Sequence, residues 1–196
     1  MANGTLKVSN IQTSSGSGTI TLGQSGETIS IPSGCTITNS GTSTNFGEIT
    51  VADMWRTTGT QNISASTSTV VTGYWTQNSN ITLGSSMSES SGVWTFPTTG
   101  IYLVNFTTYI YDTTSTISYI GNAIQLTTNN SSYSNNAFCD NHFDAQIMQN
   151  SVQTYVDITD VSTHKVRFRV EGADSFALHG GSESKTYAQF IRLGNT

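Results

Sequence analysis

The side chains of this sequence that could do chemistry are few, and their densest grouping is CDNHFDAQ, Cys139 to Gln146. On a strand alternate residues share a face. Asp140, His142 and Asp144 would then set an imidazole between two carboxylates, a donor set able to ligate a metal ion. Acidic and histidine-bearing strand edges are far commoner than metal sites, so the reading adopted is an exposed edge or subunit contact, with no metal and no cofactor. Nucleophilic catalysis needs a serine or cysteine beside a base and a group that orients the base. The histidines are His142, His164 and His179, and no serine sits in a Gly-x-Ser-x-Gly elbow. LHGGSES, Leu178 to Ser184, reads as the turn before the last strand, and Asp157 and Asp160 do not suggest the cleft that paired carboxylates need for glycoside cleavage. No enzymatic activity is expected. Binding suits the chain better. The polar stretch TTNNSSYSNNAF, Thr127 to Phe138, carries Tyr133, Asn135 and Asn136. Aromatic faces and carboxamides grip sugars by stacking and paired hydrogen bonds. Together with His179 these residues form the candidate receptor or glycan site; a solvated loop with no ligand is the competing reading.

The elements that must position these residues are built from unusual material. Only 35% of the 196 residues are apolar and 10% charged, while aromatics reach 10%. Ser, Thr, Asn and Gly fill the gap, and Thr-rich neutral chemistry suits a pleated, half-exposed sheet. Disorder is usually marked by high charge instead. The net charge is −5, with seven lysines and arginines in all, which argues against nucleic acid as a main partner. No run of 18 apolar residues spans a membrane. The opening MANGTLKVSN has no apolar core of a secretory signal, so synthesis in a cytoplasm without export is expected. Cys35 and Cys139 lie far apart and are expected to be free, buried thiols.

Residues 1–52 and 53–196 read as two regions. The first has no Trp or Tyr before position 51 and a single Phe, Phe46. Short apolar alternations at Ile20/Leu22, Ile29/Ile31, Ile37 and Ile49/Val51 are separated by GQSG, PSG and NSGTSTNFG, which is turn chemistry. Each unit is a strand too thin to bury a core, so it must stack on neighbours or pair with other chains; an ordinary meander packed on the following domain is the alternative. Residues 53–196 read as an all-β domain. Strands are expected at Ser68–Trp75, Val93–Phe96 and Ile101–Tyr111, and in TISYIGNAIQLTT, SVQTYVDIT, HKVRFRVEG and KTYAQFIRLG. In HKVRFRV, Val166, Phe168 and Val170 point one way and Lys165, Arg167 and Arg169 the other. Short strands at regular spacing indicate a sandwich or jelly roll.

WTFPTTGIYLVNF (Trp94 to Phe106) and TYAQFIRLG (Thr186 to Gly194) resemble the jelly roll of the superfamily of complement globular heads and tumour necrosis factor. Phe96, Pro97, Gly100, Tyr102 and Phe106 match its Phe-Pro-x-x-Gly turn and following aromatic strand, and Tyr187, Phe190 and Leu193 its last strand. The calcium and collagen-stalk context of that superfamily is lacking. LKVSNIQTSSGSGTITLG (Leu6 to Gly23) is similar to the opening of fibre proteins from phages of marine bacteria. The two resemblances imply a homotrimeric virion fibre or spike: a thin β shaft over residues 1–52, joined to other virion proteins, carrying a jelly-roll head over residues 53–196. They imply a trimer contact through Tyr102, Phe106, Tyr187 and Phe190. The head would adhere to a host-surface glycan or protein. A capsid- or tail-decorating protein without a receptor is the alternative, and a bacterial adhesin or signalling ligand a third.

Overall fold

The structure of the chain, a computed structural model, describes residues 8–14, 18–41, 49–111, 117–143 and 147–196. Two units are distinguished, residues 1–43 and residues 44–196.

Among the described residues of the first unit the turns form and the strands do not. Glu27 N donates to Gln24 O at 3.0 Å and Cys35 N to Pro32 O at 3.1 Å. Gly26 and Gly34 hold φ of +88° and +85° at the third turn position, which L side chains rarely adopt. Among the described residues no strand precedes Val51. Ile20, Leu22, Ile29, Ile31 and Ile37 are all exposed. One apolar pair per turn is too little to hold a strand by itself, and such isolated ribbons are marginal in water. Cys35, expected to be buried, is exposed for the same reason, whereas Cys139 is half-buried.

The second unit is an all-β sandwich with antiparallel pairing throughout. Its first sheet runs β2 (Gln61–Ile63), β12 (Phe176–Leu178), β7 (Gly100–Tyr111), β13 (Tyr187–Gly194), β1 (Val51–Thr57), β4 (Trp75–Gly84), with β10 (Ile147–Ile158) also on β7. Its second sheet runs β5 (Ser88–Ser90), β6 (Val93–Thr95), β11 (Lys165–Gly172), β8 (Ile117–Thr127), β9 (Ser134–Phe143), with β3 (Thr67–Val70) also on β11. Alternation explains the layers. Tyr102, Val104, Phe106 and Ile110 of β7 and Val166, Phe168 and Val170 of β11 are fully buried between the sheets. Trp94 sits at the centre, 5.0 Å from Trp55, 5.2 Å from Trp75 and 5.0 Å from Phe190 between ring centroids. Phe106 stacks on Phe168 at 4.6 Å.

Three expectations change here. Tyr102, Phe106 and Phe190, assigned to a trimer contact, are 0% exposed in one chain and belong to its own core. The phenol of Tyr102 donates to Thr98 O at 2.9 Å. Ala188, beside Phe190, is likewise 0% exposed and part of the same core. The strand expected at Ser68–Trp75 breaks after Val70, because Tyr74 takes φ of +64° and Trp75 starts β4 in the other sheet. Finally, β1 begins at Val51 and pairs with both β13 and β4, so the head takes in residues 51 and 52.

Two polar devices tie the sheets. Asp53 is 3% exposed at the bulge of β1. It accepts from Trp55 Nε1 at 2.8 Å, Gln77 Nε2 at 3.0 Å and Met87 N at 2.8 Å. Thr108, Asn122 and Asn150 are buried and bonded to one another, with Asn122 Nδ2 donating to Asn150 O at 3.1 Å and Cys139 Sγ to Asn150 Oδ1 at 3.2 Å. Burial is the main cause that pushes the Cys139 thiol above its ordinary value.

Candidate functional site

The outer face of the second sheet gathers the charge that the sequence otherwise lacks. The four outward residues of β11 are Lys165, Arg167, Arg169 and Glu171, so one strand holds three of the seven cations. Antiparallel register sets Arg167 opposite Gln125 of β8, and Gln125 opposite Asn135 of β9. The side chains follow that row. Arg167 Nε donates to Gln125 Oε1 at 2.7 Å, and Gln125 Nε2 donates to Asn135 Oδ1 at 2.9 Å. The loop between β8 and β9 returns Tyr133 over the same row, with its ring centroid 4.0 Å from the Arg167 guanidinium carbon. Asn129 shapes that loop by accepting from Ser131 N at 3.0 Å and Ser132 N at 2.9 Å. Partial burial raises the Tyr133 phenol above its ordinary pKa, and the charge of Arg167 opposes the rise.

The neighbouring cations are engaged. Lys165 Nζ donates to Thr95 Oγ1 at 3.0 Å and Val161 O at 2.9 Å. Arg169 pairs with Glu171 at 2.9 Å and bonds Ser68 Oγ at 2.7 Å. Phe138 of β9 lies over Gly121 of β8, where a Cβ would fall 2.5 Å from its ring, and keeps 41% exposure. Only glycine lets that ring lie on the sheet.

The other predicted site residues disperse. Asn136 sits at the register shift between β8 and β9 and turns to β10, donating to Thr154 Oγ1 at 2.8 Å and Tyr155 O at 3.1 Å. His179 belongs to the first sheet's side, 5.4 Å from the Tyr111 ring and 6.4 Å from the Tyr109 ring, its N donating to Tyr109 O. Tyr133 and Asn135 thus come together, while Asn136 and His179 lie apart from them. Asp140 and His142 are exposed on β9, and His142 Nδ1 lies against Ser118 O. Asp144 lies outside the described residues. Among the described residues no group of three His, Cys, Asp or Glu side chains could hold a metal. Asp160 is taken up by its own turn: hydrogen bonds from the Ser162 hydroxyl and amide hold its carboxyl below the usual range.

The outer face of the first sheet contrasts with this. Its central strand β7 shows Ile101, Leu103, Asn105, Thr107, Tyr109 and Tyr111 outward. Leu83, Ala52, Ile191, Leu103 and Tyr155 stand in one register row across β4, β1, β13, β7 and β10. In the next row Asn105 Nδ2 donates to Gln189 Oε1 at 3.2 Å and Ser151 Oγ to Asn105 Oδ1 at 3.1 Å. Tyr187, the fourth residue assigned to a trimer contact, is half-buried on this face opposite Thr107.

Sequence reasoning missed Arg167, Gln125 and Phe138. The alternation in HKVRFRV places Arg167 outward, but only the register of three strands shows what it meets.

No protein-family model matches the sequence, and no curated protein matches it. Solved structures match through the fold. A crystal structure of murine APRIL at pH 8.0 is 13% identical with a TM-score of 0.55, over 73% of this chain and 98% of that one. Murine APRIL at pH 5.0 is 12% identical with a TM-score of 0.56, over 73% and 98%. Eiger TNF from S. frugiperda is 13% identical with a TM-score of 0.59, over 76% and 96%. The sandwich is a jelly roll of the tumour-necrosis-factor type.

Proposed function

We propose that the protein is a homotrimeric fibre or spike component of a virion, whose residues ahead of β1 join other virion proteins and whose head adheres to the host-cell surface. The observation that carries this reading is the apolar row on the first sheet. Leu83 is 51% and Tyr155 66% exposed, and Ile101 and Leu193 extend the patch at 37% and 52%. A lone head leaves this surface in water, whereas a closed three-fold assembly covers it with its own copies. Three copies also supply the neighbours that the exposed isoleucines of the first unit lack in one chain. The likeness of Leu6–Gly23 to phage fibre openings supports the virion setting. Assembly through the first sheet leaves the charged face of the second sheet open to a ligand. Neither nucleic acid nor a membrane is a partner in this scheme.

The test is adsorption. Purified full-length protein is expected to compete with virions for host cells, and particles lacking the chain are expected to adsorb poorly. Normal adsorption by such particles, with the chain still present on wild-type virions, assigns the decorating role and overturns adhesion.

A further inference from the structure

We infer that the outer face of the second sheet binds a carboxylate-bearing sugar, an acidic glycan unit, through Arg167. The inference deepens the adhesion reading and rests on it for its biological setting. Three features of the site lead to this ligand. First, Arg167 is fixed from two sides, by the Tyr133 ring at 4.0 Å and by Gln125 at 2.7 Å through Nε. Among the described residues its two terminal nitrogens carry no partner, and they form the planar fork that matches a carboxylate. Lys165 and Arg169 on the same strand are already bonded, so the site offers one available cation. One cation suits a singly charged group better than a phosphate dianion.

Second, the donors beside the fork have fixed polarity. Gln125 gives its oxygen to Arg167 and its nitrogen to Asn135 Oδ1, which leaves Asn135 Nδ2 as a donor for a sugar oxygen. Third, the aromatic platform is not Tyr133, since the guanidinium covers one face of that ring. Phe138, 41% exposed over Gly121 two register rows along β8, offers a flat apolar surface for the C–H face of a pyranose. A carboxylate on the fork, hydroxyls at Asn135 and a ring against Phe138 together describe an acidic saccharide.

The experiment titrates the full-length chain with sialyllactose and with oligogalacturonate, each beside its methyl ester, and follows binding by calorimetry. At least one acid is expected to bind, more weakly as salt rises, and its ester not. Arg167→Gln should weaken the bound acid at least about tenfold, the loss of a hydrogen-bonded charge, while the protein still folds and melts cooperatively. Arg167→Lys keeps the charge without the fork and should fall between the two. Equal binding of acid and ester, unchanged binding by Arg167→Gln, tighter binding of a sulfated oligosaccharide, or no binding of either acid overturns the assignment. Host-cell adhesion separates the two claims. Adhesion that survives in Arg167→Gln removes the ligand and keeps the adhesin, while acid binding without adhesion keeps the site and removes the adhesin.

Discussion

The two outer faces of the sandwich share one core and differ in where charge is placed. On the first sheet the outward residues of β1, β7, β10 and β13 include two charges of opposite sign, Arg56 and Asp157. On the second sheet every outward residue of β11 is charged. In a chain with only 10% charged residues this division is informative. A face that is neutral, in part apolar, and internally satisfied by amides loses little on being covered by protein, whereas buried unpaired charge is costly. A face with a stacked, half-paired arginine is kept wet and specific. The difference separates a surface fit for self-association from one fit for a ligand.

The strongest way to break the comparison is to remove what both faces rest on. Phe190 packs against Trp94, Phe96 and Phe168. Phe190→Ala should cost about 3–5 kcal/mol in denaturant unfolding, and the loss should not depend on protein concentration. Asp53→Ala removes the acceptor of three donors, two on the first sheet and Met87 N on the link to the second, and should cost about 2–3 kcal/mol, read in the same way. Asp53→Asn keeps one acceptor oxygen and should recover part of it.

Much of the fold was legible because its central strands alternate cleanly. Val166, Phe168 and Val170 against Lys165, Arg167 and Arg169 can only be a half-buried strand. The edge strand β4, TQNSNITLG after Trp75, escaped because little in it is buried and nothing alternates. Phe190 was read on the correct side of β13, yet alternation yields two faces and not what covers each, so a core residue was mistaken for a subunit contact. The candidate site was legible as residue types, not as a place. Tyr133 and Arg167 meet only because β8 and β11 pair in register, and Asn136 left the group at a register shift that no local pattern announces. Asp53 gave no signal at all, since a lone aspartate before Trp55 looks solvated until the bulge buries it.

Smaller changes sharpen the contrast between the faces. Tyr133→Ala should lower stability by no more than about 1 kcal/mol, the scale of an exposed cation–π contact, and leave the mass of the assembly unchanged. Arg167 lowers the Tyr133 pKa while burial raises it. Arg167→Gln should therefore move phenol ionisation to higher pH in an ultraviolet titration. A phenol with a raised folded value favours folding below the unfolded value of 10.0 and loses that contribution as pH climbs through the folded one. The thiols report without any loss of stability. Exposed Cys35 should alkylate quickly at mildly alkaline pH, and Cys139, half-buried with its pKa raised, slowly.

Self-association through the outer face of the first sheet is measured most directly as mass in solution. Light scattering on the full-length protein should give three times the 21.0 kDa chain mass. Leu103→Asp, which puts a carboxylate in the middle of the apolar row between Ile191 and Tyr155, should give one chain mass with a folded near-ultraviolet spectrum. A wild-type mass of 21.0 kDa, or a trimer indifferent to Leu103→Asp, would contradict it.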